Sequence, residues 1–170
     1  MEYYTTHNCL ECHQDTDDDI ILNRRRSVSV IIHNLLNVAV FWKVQIQPYV
    51  ASNYVDGEII CIYKAVKKTK AIHSYMEALS LHTGAPTIHW EYITSCISVV
   101  GSKIVTPRVK QMDIPVCFLQ EQFDNGIFVP KYEKSSVTTE DMCTKSCSGL
   151  MIICSNKWMT GFRFYPASDT

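Results

Sequence analysis

Two apolar, β-branched runs at 28–36 and 38–47 stand back to back with only Asn37 between them. They constrain this chain more than any other feature. Val and Ile dominate both runs, and such residues suit a pleated, half-buried surface. So short a link makes the pair an antiparallel hairpin. The period then changes. Pro48 interrupts the pattern, and 56–81 carries Ile59, Ile62, Tyr63, Val66, Tyr75, Met76 and Leu79 at roughly helical spacing, with Gly84 placed to stop it.

The remaining elements alternate in type without internal repeats. Residues 3–14 are expected to form a first strand. Residues 87–91 form a short strand after Pro86, and 94–100 a helix that Gly101 ends. Val109, Met112, Val116, Leu119 and Phe123 define a second amphipathic helix over 108–123. Pro115 fits if the regular helix starts near Asp113, because a proline in the first turn loses no intrahelical hydrogen bond. Asn125-Gly126 signals a turn, 127–132 a last strand and 136–145 a short helix. The expected order is β-β-β-α-β-α-α-β-α, an α/β fold in residues 1–147. Residues 148–170 form an unassigned tail.

A chain of 170 residues with 46% apolar side chains can bury one core. Its formal net charge of −1 and pI near 6.6 give no global signature of a nucleic-acid binder, so such a role requires a local basic patch. No signal peptide opens the chain, and no apolar run approaches the roughly 18 to 20 residues that span a bilayer. The expectation is an intracellular, cytoplasmic protein with no membrane partner. Eight cysteines at irregular positions suit reduced, packed thiols. Cys9-Leu10-Glu11-Cys12-His13 fits a haem-attachment pattern, which needs export, or half a zinc site. The second half would come from Cys143 and Cys147, or Cys154.

Short blocks at the element ends resemble the ribonuclease H domain of copia-type retrotransposon Pol polyproteins. That domain opens with Ser-Asp-Ala-Asp and then Arg-Arg-Ser; here Gln14-Asp15-Thr16-Asp17 precedes Arg25-Arg26-Ser27. Phe41-Trp42-Lys43-Val44-Gln45-Ile46-Gln47 looks like the family's Ser-Trp-Lys-Ser-Lys-Lys-Gln. After a one-residue shift, Val50-Ala51-Ser52-Asn53-Tyr54-Val55-Asp56-Gly57-Glu58 is similar to the stretch that carries the family's helical Glu. Glu91-Tyr92-Ile93-Thr94-Ser95 resembles Cys-Asp-Asn-Gln-Ser. Arg108-Val109-Lys110-Gln111-Met112-Asp113-Ile114 resembles Arg-Thr-Lys-His-Ile-Asp-Ile, and Glu140-Asp141-Met142-Cys143-Thr144-Lys145 the closing Ala-Asp-Ile-Phe-Thr-Lys.

The resemblance implies a ribonuclease H-like fold, a mixed five-stranded sheet with three antiparallel strands first and parallel additions after, flanked by helices. It implies hydrolysis of RNA in an RNA–DNA hybrid by two Mg²⁺ ions, which carboxylates hold because Mg²⁺ prefers hard oxygen ligands. Asp15, Glu58 and Asp141 fall on three of the four acids. Tyr92 falls on the fourth, and a phenol, neutral at pH 7, cannot replace a carboxylate. Glu91 is adjacent, but successive strand residues point to opposite faces, so it is expected to face away from the metals. Cleavage is therefore expected to be impaired. The implied hybrid contacts are Arg25, Arg26 and Lys43, and the implied partner is the polyprotein's reverse transcriptase domain, within a virus-like particle in an intact element.

Taken without the resemblance, each acid reads as a solvated side chain and Arg24 to Arg26 as a solvated turn. Lys64, Lys67, Lys68 and Lys70 read as the helix's solvent face, or as a phosphate track. His33, His73, His82 and His89 suggest no nucleophile pair. Two other functions remain open: a catalytically dead nucleic-acid- or partner-binding module of the same fold, and a small zinc protein built on Cys9, Cys12 and His13.

Overall fold

The computed structural model describes residues 10–17, 26–36, 38–48, 50–51, 53–81, 84–91, 94–102 and 112–132. Its elements run β1 (Leu10–Asp17), β2 (Val28–Leu35), β3 (Val38–Ile46), α1 (Tyr54–Ala78), β4 (Thr87–Glu91), α2 (Thr94–Gly101), α3 (Asp113–Asp124) and β5 (Phe128–Tyr132). They form one five-stranded sheet in the order β3-β2-β1-β4-β5. β1, β2 and β3 are antiparallel neighbours, and β4 and β5 add in parallel. The expected sheet is thus the observed one. The first strand runs on to Asp17, beyond the expected end at residue 14, and 3–9 lie outside the described residues. The expected 136–145 helix and the 148–170 tail lie outside the described residues.

Sheet position explains the two burial patterns of the hairpin. β2 lies inside the sheet and is almost wholly buried. β3 is the edge strand, and Val38, Val40, Trp42, Val44 and Ile46 make an exposed row along it. The turn closes at Leu36, which takes a left-handed φ of 53°.

Helix α1 begins at Asn53, whose side chain accepts a hydrogen bond from the Asp56 N–H at 3.0 Å and so satisfies one of the first turn's orphan donors. Its C-terminus departs from expectation, since the helix stops before Gly84 is reached. Ser80 supplies the left-handed residue at φ 58°, with Ser80 N–H donating to Glu77 O at 2.9 Å and Leu81 N–H to Met76 O at 2.8 Å. These two bonds close the last carbonyls in a Schellman pattern. Asn125-Gly126 does the same for α3: Gly126 has φ 68°, and the N–H groups of Gly126 and Ile127 donate to Phe123 O and Gln122 O. The expected turn is a helix cap that delivers the chain directly into β5.

The largest core cluster joins Ile59, Ile62 and Val66 of α1 to Cys96 and Val100 of α2, Val116 and Leu119 of α3, and Phe128 of β5. A second cluster, Cys12, Ile31, Cys61 and Ala65, seats α1 on β1 and β2. At the start of α1 the backbone itself approaches the sheet. Gly57 O accepts from Thr16 Oγ1 at 3.3 Å and from Gln47 Nε2 at 2.9 Å, and a Cβ at Gly57 would lie 3.1 Å from the Thr16 methyl. That contact sets the depth of Glu58, the next residue. Gly57→Leu should therefore destabilise the protein by about 1–3 kcal/mol through overpacking, read as a lower urea midpoint at unchanged m-value.

Candidate functional site where β1, β4 and α1 meet

The side-chain row of β1 that faces α1 is fixed by its contacts. Leu10 packs on Ile72 and Met76, Cys12 on Cys61 and Ala65, and Thr16 bonds Gly57. Gln14 belongs to this row. The alternate row faces away: His13 stacks on Trp90, with ring centroids 6.3 Å apart and 24° between planes, and approaches Glu11 at 4.0 Å. Asp15, between Gln14 and Thr16, falls on the His13 side by strand alternation. No bulge turns it, since the β1–β2 register runs unbroken with Asp15 opposite Val30.

In β4 the row facing α1 is equally clear. Thr87 Oγ1 lies 2.8 Å from His73 Nε2, and His89 Nε2 lies 2.9 Å from Thr69 Oγ1, both partners being on α1. Glu91 is the next member of that row and is 1% exposed. The parallel register pairs Cys12 with His89 and His13 with Trp90, so its next step sets Gln14 beside Glu91. Glu58, on the second turn of α1, is fully buried. Burial pushes the thiols of Cys61 and Cys96 up, and the charges of both Glu58 and Glu91 push them further. Both carboxylates thus reach the same two thiols.

Face and burial thus put Gln14, Glu91 and Glu58 on the α1 side of the sheet. By strand alternation Asp15 falls on the face away from α1 and Glu91 on the face toward it, whereas the sequence reading placed Asp15 with Glu58 and turned Glu91 aside. Tyr92, Asp141 and Arg25 lie outside the described residues. Arg26 is exposed just before β2, and Lys43 is exposed on β3. Mg²⁺ keeps part of its shell for water and phosphate. Glu58 and Glu91 are hard oxygen donors of the kind Mg²⁺ takes, but both are buried beside a neutral amide, so an acid from β1 is what the described residues lack for a two-ion cluster.

The expected zinc half-site lies partly outside the described residues. Cys12 and His13 are successive strand residues on opposite faces, and Cys9 lies outside the described residues. Cys12 meets His33 and His89 instead, and the three donor atoms lie within 4.8 Å of one another. Thr69 links the two imidazoles, its Oγ1 lying 2.9 Å from each Nε2. The direction of this relay follows from its last member. The Trp90 carbonyl can only accept, so Gln14 turns its Nε2 to it at 3.1 Å and offers Oε1 to His89 Nδ1–H, also at 3.1 Å. Neutral His89 then accepts from the Thr69 hydroxyl, which accepts from His33 Nε2–H, leaving His33 Nδ1 to face the Cys12 thiol at 3.9 Å. Thr69 Oγ1 also lies 3.2 Å from Ala65 O, the longer of its contacts. Every imidazole nitrogen is thereby engaged, and the cluster is complete as a hydrogen-bonded core.

The antiparallel triplet, the two parallel additions and the helix packed at their junction define a ribonuclease H-like fold. The solved structure of LC11-RNase H1, isolated from compost by a metagenomic approach, is similar, with a TM-score of 0.55 and 8% identity over 76% of this chain and 86% of that one. No protein-family model matches the sequence. Among the described residues no helix is long and apolar enough to cross a membrane.

Burial lowers the pKa of His33 to about 3 and that of His89 well below its ordinary value. Between about pH 6.5 and 3 the unfolded chain takes up protons that the folded one refuses. Stability should therefore be full above pH 6.5 and fall as pH drops through that window, by on the order of 1 kcal/mol per pH unit for each histidine. Thr69→Val, which keeps the shape and removes the link, should cost about 1–3 kcal/mol at pH 7. Urea titrations at stepped pH measure both.

Proposed function

We propose that this chain is the ribonuclease H domain of a copia-type retrotransposon Pol polyprotein, a module that grips an RNA–DNA hybrid and is impaired in cutting it. The fold and the ordered sequence blocks from about residue 12 to residue 147 support the family. One observation carries the impairment: Gln14 occupies the row of β1 that faces Glu58, where a first-strand carboxylate would have to stand. Its amide is committed to Trp90 and His89. In this reading Glu58 and Glu91 are the surviving acids of the site, Asp15 is not a ligand, and the reverse transcriptase domain of the same polyprotein is the natural partner. Tyr92, aligned with a family acid, is a second possible lesion with its own test.

Cleavage of a labelled hybrid in Mg²⁺ or Mn²⁺ tests the reading. The native chain should bind the hybrid and leave it intact. Gln14→Asp, checked for an intact melting transition, should raise cleavage at least about tenfold, the equivalent of about 1.4 kcal/mol in the barrier. Asp15→Asn should change nothing. Rescue by Tyr92→Asp, with Gln14→Asp silent and Asp15→Asn abolishing the rescued activity, would return the site to the sequence alignment. Native cleavage as fast as that of either variant would overturn the impairment.

A further inference from the structure

We infer that the groove between edge strand β3 and helix α1 is a binding site for consecutive phosphates of a nucleic-acid strand. The inference rests on the hybrid-binding reading above and adds a contact surface away from Gln14, Glu58 and Glu91. Ile31, Phe41, Lys43, Gln45, Lys64, Lys67 and Lys68 line it, enclosing about 400 Å³.

Four of those seven residues are lysines, in a chain whose formal net charge is −1. The local concentration of positive charge is therefore not a reflection of composition. Lys64, Lys67 and Lys68 follow i, i+3, i+4 spacing, which puts them on one face of α1. Lys43 faces them from β3, where its partner across the sheet is Ile31 at the groove floor. None of the four has a carboxylate within ion-pair distance among the described residues; the ion pair found there is His13 with Glu11.

Lys64 shows most directly that an anion belongs here. Its Nζ is buried and has no hydrogen-bond partner among the described residues. Burial lowers its pKa, the Cys61 thiol opposes that, and the like charge of Lys43 lowers it further. An ammonium buried without a partner among the described residues, under the like charge of Lys43, is held at a cost that an incoming anion would relieve. The neighbouring cations are already oriented. Lys68 Nζ sits 4.4 Å from the centre of the Phe41 ring, and Lys67 Nζ sits 5.1 Å from that of Tyr63.

Nucleic-acid chemistry fits this lining better than a small carboxylate does. Lysines bind phosphate as point charges without demanding a fixed fork geometry. Those on α1 span about one helical turn, roughly 5.4 Å, the order of the step between neighbouring phosphates on a strand. Ile31 and Phe41 give the floor an apolar surface for sugar or base. Lys70 lies near Phe118 instead, 5.7 Å from its ring centre, and is not part of the lining.

The test is fluorescence anisotropy of a labelled RNA–DNA hybrid with the full chain in EDTA, over a salt series. A Lys64→Gln/Lys67→Gln/Lys68→Gln variant should bind at least tenfold more weakly and lose about 2–3 from the magnitude of the log–log salt slope, roughly 0.9 per phosphate contact. Lys70→Gln should match the native chain. In parallel, Lys64→Met should melt higher than native in anion-free buffer, and pyrophosphate should raise the native melting temperature but not that of the triple variant. Unchanged hybrid affinity and slope in the triple variant would overturn the inference and leave the hybrid-binding reading intact. A native chain that binds pyrophosphate in this groove but no hybrid would overturn the strand assignment together with that reading. Failure to bind either probe would overturn both.

Discussion

Thr69 is the residue on which the middle of this molecule depends. Its hydroxyl lies 2.9 Å from an imidazole of β2 and 2.9 Å from one of β4, strands that are not neighbours but flank β1 on either side. Through Gln14 and Cys12 the same network reaches β1 itself. A buried polar group is costly when unsatisfied and specifying when satisfied. Here a single helix position ties three strands to α1, so the register of β1 against β4 and the seat of the helix are set by the same bonds. Gly57 repeats the device one end away, with its carbonyl holding β1 and the residue after β3 together.

That network explains why Gln14 is not an idle replacement. Its amide must present an acceptor to His89 and a donor to the Trp90 carbonyl at once. Among side chains of this length only a carboxamide does both without a proton being added. An ionised carboxylate at the same place would face the Trp90 carbonyl with a lone pair. Position 14 thus serves the core, and Asp15 falls on the other face of β1 with Glu11.

Much of the fold was legible in the sequence because it rests on local periodicity. The 28–36 and 38–47 runs became β2 and β3, and the helical spacing of Ile59, Ile62 and Val66 became the buried stripe of α1. Helix ends were less legible: nothing in Ser80 announces a left-handed residue, whereas Gly84 does. The site was less legible for a definable reason. Block alignment fixes a residue's place along a strand but not its face, and in a strand one residue is the whole difference. The alternation that turned Glu91 aside in the sequence reading was not applied to β1, where apolar Leu10 and Cys12 already mark even positions as the helix side. Cys12, His33 and His89 carried no signal, since topology alone brings together residues so far apart in sequence. Asp141, Tyr92, Arg25 and Cys9 lie outside the described residues, so the comparison stops at the acids of β1, α1 and β4.

The charge distribution links the site to the groove. A cluster of buried carboxylates opposes folding, because each charge loses water and repels the others, and metal or substrate must compensate. With Glu58 and Glu91 already buried and both acting on the Cys61 and Cys96 thiols, a further acid from β1 would add both costs, and a neutral amide at position 14 avoids them. The lysines along α1 and β3 are under no such pressure. Three of the four keep their charges in or near water, and two rest on aromatic rings. At Gln14 a neutral amide thus serves stability, whereas at Lys64 a buried charge works against it.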